Sequence, residues 1–155
     1  MPSTATTLAT KGRRGAALPS ADATDWASFA TAFNAKRAGG GGTIYLAPGS
    51  YVGANARLMS ALGTPAFTEA GAKVIVRAQD PLNPPSFGAS AAGSFTCNVA
   101  NVEFYGIDFT LASLWPSQAC VNQTTTKASQ QTYSYCTFAG PSFDLNSTTN
   151  WRCEG

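Results

Sequence analysis

Residues that could carry acid–base chemistry are few in this chain. Its 155 residues hold 8 acidic and 10 basic side chains and no histidine. Without imidazole there is no Ser-His or Cys-His nucleophile pair, no histidine acid–base work and no histidine-ligated metal. Carboxylate chemistry remains, and Glu103, Asp108, Asp144 and Glu154 are its candidates. Two carboxylates at a suitable separation cleave a glycosidic bond, one protonating the leaving oxygen and one activating water or attacking the ring. If Gly106 resets the phase of its strand, Glu103 and Asp108 share an outer face. Nothing in their spacing makes them converge on one sugar, so no catalytic residue is assigned.

Lys73 and Arg77 lie four apart on an extended run and share a face, which can bring Arg77 near Glu103 or Tyr105 of a following strand. The ordinary reading is a cross-strand charge pair on a solvated surface. Aromatic rings offer binding instead of bond breaking. Tyr105, Trp115, Tyr133, Tyr135 and Trp151 have flat faces for the CH groups of sugar rings, although most rings in such a chain pack in its core or at corners. The weak candidate set for carbohydrate is therefore Arg77, Glu103 and Tyr105.

The four cysteines, Cys97, Cys120, Cys136 and Cys153, form no Cys-x-x-Cys pair, so no structural zinc, other metal or cofactor is expected. Free, buried thiols are expected, with disulfides as the alternative.

The elements that must position these residues are organised around Gly39-Gly-Gly-Gly-Thr-Ile-Tyr-Leu-Ala-Pro-Gly-Ser-Tyr51. The glycines end what precedes them, Thr43–Leu46 favours a strand, and Pro48-Gly49 suits a tight turn before the chain extends again. Upstream, residues 22–37 read as a helix. Asp22 or Thr24 is its expected cap, and Asp25 suits its first turn. Trp26, Phe29, Ala30 and Phe33 make one apolar stripe. Arg57–Leu62 suggests a helical turn. Strand signals follow at 73–78, 94–97, 101–109 and 131–138, and begin again at 150–155. In the segment 101–109, Val102 and Phe104 should point inward and Glu103 and Tyr105 outward, with Gly106 breaking the alternation.

Lys73 to Asn101 spans 28 residues, Phe109 to Phe138 29, and Ile44 to Val74 30. Such intervals suit stacked parallel strands, and evenly spaced strands also suit a β-sandwich.

The helix with Asp22, Asp25, Trp26, Phe29 and Phe33, then Gly41-Gly-Thr-Ile-Tyr-Leu46 and Pro48-Gly-Ser-Tyr51, resembles a signature of the pectate-lyase-like right-handed parallel β-helix proteins, bacteriophage tailspikes and tail fibres among them. The match covers about a fifth of the chain. It implies an all-β solenoid with an N-terminal capping helix, the first turns of a longer protein. It also implies a homotrimer, a virion location and a bacterial surface polysaccharide as ligand. Residues 1–20 then form an arm, with Lys11, Arg13 and Arg14 attaching to other tail proteins, and residues 21–155 form the plugged solenoid. Among active lyases the resemblance implies a basic residue beside calcium-holding carboxylates, but the short motifs of those enzymes are missing here. A truncated lyase or glycosidase, in a secreted setting, and a purely structural virion protein are the alternatives.

Charged residues make up 12% of the chain and the net charge is +2, which implies no nucleic-acid partner. No apolar run is long enough to span a bilayer, so no membrane insertion is expected. The basic start at Lys11–Arg14 is not followed by a secretory core.

Overall fold

A computed structural model of the chain describes residues 17–53, 57–58, 67–68, 70–89, 95–97, 99–109, 121–123, 131–137, 143–145 and 152–154. Local capping sets where its helix begins. Asp25 is extended, its carboxylate accepts from the Ser28 amide at 2.7 Å, and the Ser28 hydroxyl accepts from the Asp25 amide at 3.1 Å. This reciprocal box starts α1, Trp26–Ala38. The Ser28 amide is the main reason the Asp25 carboxyl titrates below its ordinary value. Asp22, an expected cap, works elsewhere: its carboxylate accepts from the Tyr45 amide at 2.7 Å.

The apolar stripe of α1 is buried: Trp26, Phe29, Ala30 and Phe33 are all at most 6% exposed. Lys36 and Arg37 close the helix, where cations suit the C-terminal dipole. Gly41 then passes so close to the Lys73 carbonyl that a Cβ would sit 2.5 Å from its oxygen, and its φ of 101° also requires glycine.

The strands are β1 (Gly42–Leu46), β2 (Ser50–Gly53), β3 (Arg57–Leu58), β4 (Val74–Ala78), β5 (Ser86–Ala89), β6 (Phe95–Cys97), β7 (Val102–Tyr105), β8 (Val121–Gln123), β9 (Gln131–Ser134), β10 (Phe143–Leu145) and β11 (Arg152–Glu154). Every pairing among them is parallel. The main stack runs β1-β4-β7-β9, extended by β11; β2 pairs with β5; and β10-β8-β6-β3 is a run of short backbone pairs. Arg57–Leu58 is thus extended, not a helical turn, because β6 supplies its hydrogen-bond partners.

The interval from Lys73 to Asn101 reappears as the register Val74↔Val102. The first interval does not, since Ile44 faces Val76 and not Val74. Alternation puts Ile44, Leu46, Val74, Val76, Val102 and Phe104 inside. Gly106, at φ 67°, then resets the phase so that Ile107 and Phe109 are buried as well.

Between α1 and the sheets the core is a column of rings. Phe29 lies 5.4 Å from Phe87, Phe87 lies 6.1 Å from Phe104, and Phe104 stacks on Tyr133 at 5.2 Å. Such pairs add roughly 0.5–1.5 kcal/mol each beyond the area they bury. Two polar devices join the layers. Buried Arg37 donates to the Ala72 carbonyl at 3.0 Å and to the Ala100 carbonyl, so the end of α1 holds the chain just ahead of β4 and β7. Gln131 donates to the Cys97 and Val99 carbonyls at 3.1 and 2.8 Å.

At its first edge the main stack is sealed. Asp22 donates its amide to the Tyr45 carbonyl at 2.7 Å, Ala47 donates to Ala23 at 2.9 Å, and Ala23 forms a parallel bridge with Leu46.

The expectation of an all-β right-handed parallel β-helix is corrected by this architecture. The described residues form a small α/β fold, one helix on open parallel sheets, and among them no sheet closes on itself. Recurrent spacing specifies which strands pair side by side. It does not specify closure, and strands of two to four residues, such as β3 and β2, are too short to impose it.

Candidate functional site

The outward set of the main stack carries the chemistry. Pairing aligns Tyr45 with Arg77, Arg77 with Tyr105 and Tyr105 with Ser134. Because strands in a ladder lie about 4.8 Å apart, side chains at one register level stack. The Arg77 guanidinium sits 4.2 Å from the centroid of the Tyr105 ring, a cation–π contact. On the other side of Tyr105 is the Tyr135 ring, 5.1 Å away and tilted by 54°. Tyr135 is 63% exposed, so one aromatic face stays open to solvent.

Tyr135 reaches this place at a conformational cost. Its φ is 54°, a left-handed backbone that disfavours a side chain with a Cβ by about 1–2 kcal/mol. The aligned residue of the preceding strand is Gly106, which adopts φ 67° freely. Strain of this kind survives where the surrounding structure imposes it, and such positions gather at binding sites.

Beside the ladder is an open cleft of about 360 Å³, lined by Ala17, Leu18, Pro19, Tyr45, Arg77, Ala78, Gln79 and Pro81. Gln79 holds its far wall by donating to the Pro19 carbonyl at 2.7 Å. Arg77 therefore borders the cleft on one side and the aromatic ladder on the other. Among the described residues its guanidinium forms no ion pair and donates no hydrogen bond.

The structure brings Arg77 and Tyr105 together and leaves Glu103 apart from both. Glu103 pairs with Lys73 at 2.6 Å, a surface bridge that contributes about 0–1 kcal/mol. Asp108 belongs to a different sheet: it accepts from the Ser86 hydroxyl at 3.3 Å, and its backbone bridges Ser86 and Thr137. The two carboxylates consequently serve separate contacts. Tyr133 is fully buried and presents no face to a ligand. Trp115 and Trp151 lie outside the described residues, as do Lys11, Arg13, Arg14 and Cys120 and the side chains of Asp144, Cys153 and Glu154.

Tyr45 and the cleft were missed from sequence. The signal was present in the pairing of Tyr45 with Arg77, but it needs the two-residue shift in the β1–β4 register. Cys97 and Cys136 are free thiols, and burial pushes the Cys97 thiol up to about 12, so it stays protonated. Among the described residues no three His, Cys, Asp or Glu side chains gather as metal ligands, and no helix is long and apolar enough to cross a membrane.

A cation held over Tyr105, an open ring face on Tyr135 and a neighbouring cleft make a surface suited to holding a ligand. No family model, curated protein or solved structure matches the chain.

Proposed function

We propose that the ladder Tyr45, Arg77, Tyr105 and Tyr135 binds bacterial surface polysaccharide, and that the chain is the attachment part of a tailspike or tail-fibre protein. The observation that carries the binding reading is Tyr135, whose ring is held against Tyr105 in a backbone conformation that glycine adopts more readily. Flat ring faces take the CH side of a sugar, and a guanidinium edge takes its oxygens. The virion setting rests on the resemblance of the helix and the Gly-Gly-Thr strand to tailspike proteins. In that setting the basic arm with Lys11, Arg13 and Arg14 docks other tail proteins, and the working unit is a homotrimer.

Titration of capsular polysaccharides into the chain, followed by tyrosine fluorescence or calorimetry, tests the reading. Saturable binding that weakens about tenfold in Tyr105→Ala is expected, since stacking contributes on the order of 1–1.5 kcal/mol. A folded Tyr105→Ala and Tyr135→Ala double variant that binds as the parent does would overturn it.

A further inference from the structure

We infer that the cleft beside the ladder is an oxyanion pocket, so that the sugar it accepts is an acidic one, bearing a carboxylate or a phosphate ester. This deepens the polysaccharide reading and rests on it for the sugar ring; the charge rests on Arg77 alone. The Arg77 guanidinium is held over the Tyr105 ring, its carbon 4.2 Å from the ring centroid. A guanidinium carries five donors in a planar fork that matches an oxyanion bidentately. Among the described residues of this face, Lys73 is paired with Glu103 at 2.6 Å. The other arginine packed against an aromatic ring, Arg37, gives its donors to the Ala72 and Ala100 carbonyls. Among the described arginines, Arg77 is the one that combines a guanidinium held over a ring with unspent donors and an adjoining space.

The pocket has the dimensions and lining for one charged sugar. Its volume of about 360 Å³ lies at the small end of ligand sites. Leu18, Pro19 and Pro81 supply apolar wall, and Gln79 supplies an amide whose NH₂ is occupied by Pro19 while its oxygen is left as an acceptor for a sugar hydroxyl. Two acids beside residues of the cleft wall are engaged with backbone amides. Asp22 accepts from the Tyr45 amide at 2.7 Å, and Asp80 accepts from the Leu82 amide at 3.0 Å.

The test is a titration of the isotope-labelled chain with glucuronate, with a glucose phosphate and with glucose at matched ionic strength, read by NMR at the Arg77 guanidinium and the Gln79 side-chain amide. Expected are saturable shifts with at least one anionic sugar, affinity at least fivefold above that for glucose, and loss of the Gln79 response in Arg77→Gln while the spectrum keeps its dispersion. Arg77→Lys should recover only part of it, because an ammonium cannot make the bidentate contact. A stronger response to glucuronate assigns the carboxylate, and the reverse assigns the phosphate ester; either supports the pocket. Equal response to glucose and both anions, or an unchanged response in Arg77→Gln, overturns it. Polysaccharide binding that persists alongside that failure would leave the ladder reading in place and remove only the charge preference. Anion binding at Arg77 without polymer binding would do the opposite.

Discussion

The two faces of the main stack use the same kinds of side chain to different ends. Inward, Phe104 and Tyr133 stack on each other, Phe104 also meets Phe87 of β5 edge-on, and all three are buried. Outward, Tyr105 meets a guanidinium on one side and the half-open Tyr135 ring on the other. Aromatic content therefore says little about role; the neighbours of each ring decide it. A ring enclosed by rings contributes to folding, whereas a ring with an open face and a charged neighbour contributes to recognition. Substitutions on the two faces should separate these properties.

The largest effect is expected from Phe87→Ala. That ring contacts Trp26, Phe29, Tyr51, Phe104 and Phe109, so its loss opens a cavity in the centre of the column. Denaturant unfolding should show a loss of about 3–5 kcal/mol. A loss below about 1 kcal/mol would mean that the column is not the core. Next is Arg37→Ala, which leaves the Ala72 and Ala100 carbonyls without their donor inside the protein. A loss of about 3 kcal/mol is expected from the same measurement, with sugar binding by the folded fraction unchanged.

Tyr51→Phe probes the seam between α1 and β2, where the Tyr51 hydroxyl donates to the Ala23 carbonyl at 2.7 Å. About 1 kcal/mol should be lost at neutral pH. Burial, helped by the charge of Asp25, pushes the Tyr51 pKa from 10.0 up to about 12. The folded state thus holds this proton more tightly than the unfolded one. Its contribution is full below pH 10 and drains away as pH rises through 12. Melting temperatures measured across that window should fall more steeply for the parent than for Tyr51→Phe, and parallel slopes would refute the assignment.

The smallest stability effect and the sharpest contrast belong to Tyr135→Asn. Asparagine tolerates the left-handed backbone but has no ring. Stability should stay within about 0.5 kcal/mol of the parent while polysaccharide affinity drops severalfold. A variant that loses stability and keeps binding would place Tyr135 with the inner face instead.

Much of this contrast was readable from residue order where the physics is local. The Trp26–Phe33 stripe, the strand after the glycines and the phase reset at Gly106 depend on near neighbours, and the structure has all three. Features that depend on distant partners were not readable. Asp25 outcompetes Asp22 as cap because Asp22 is drawn to the Tyr45 amide, a contact 23 residues away. Arg37 is by its position one of two basic residues in the last helical turn, and two remote carbonyls explain its burial. Tyr45 joined the candidate site only through the β1–β4 register, which a two-residue error hides without moving any side chain to the wrong face. The same limit applies to the sheets, since spacing identifies neighbours but not whether a sheet closes.

The bonds from Asp22, Ala23 and Ala47 to β1 give the molecule a direction. A chain emerging from the ribosome N-terminus first satisfies the outer rail of its first strand with its own preceding residues, before β4 has been translated. Within the main stack each later strand then finds one free rail waiting, that of the previous strand of the same stack. Assembly is in this way polarised along synthesis, and a stray strand from another copy is turned away at the end that is made first.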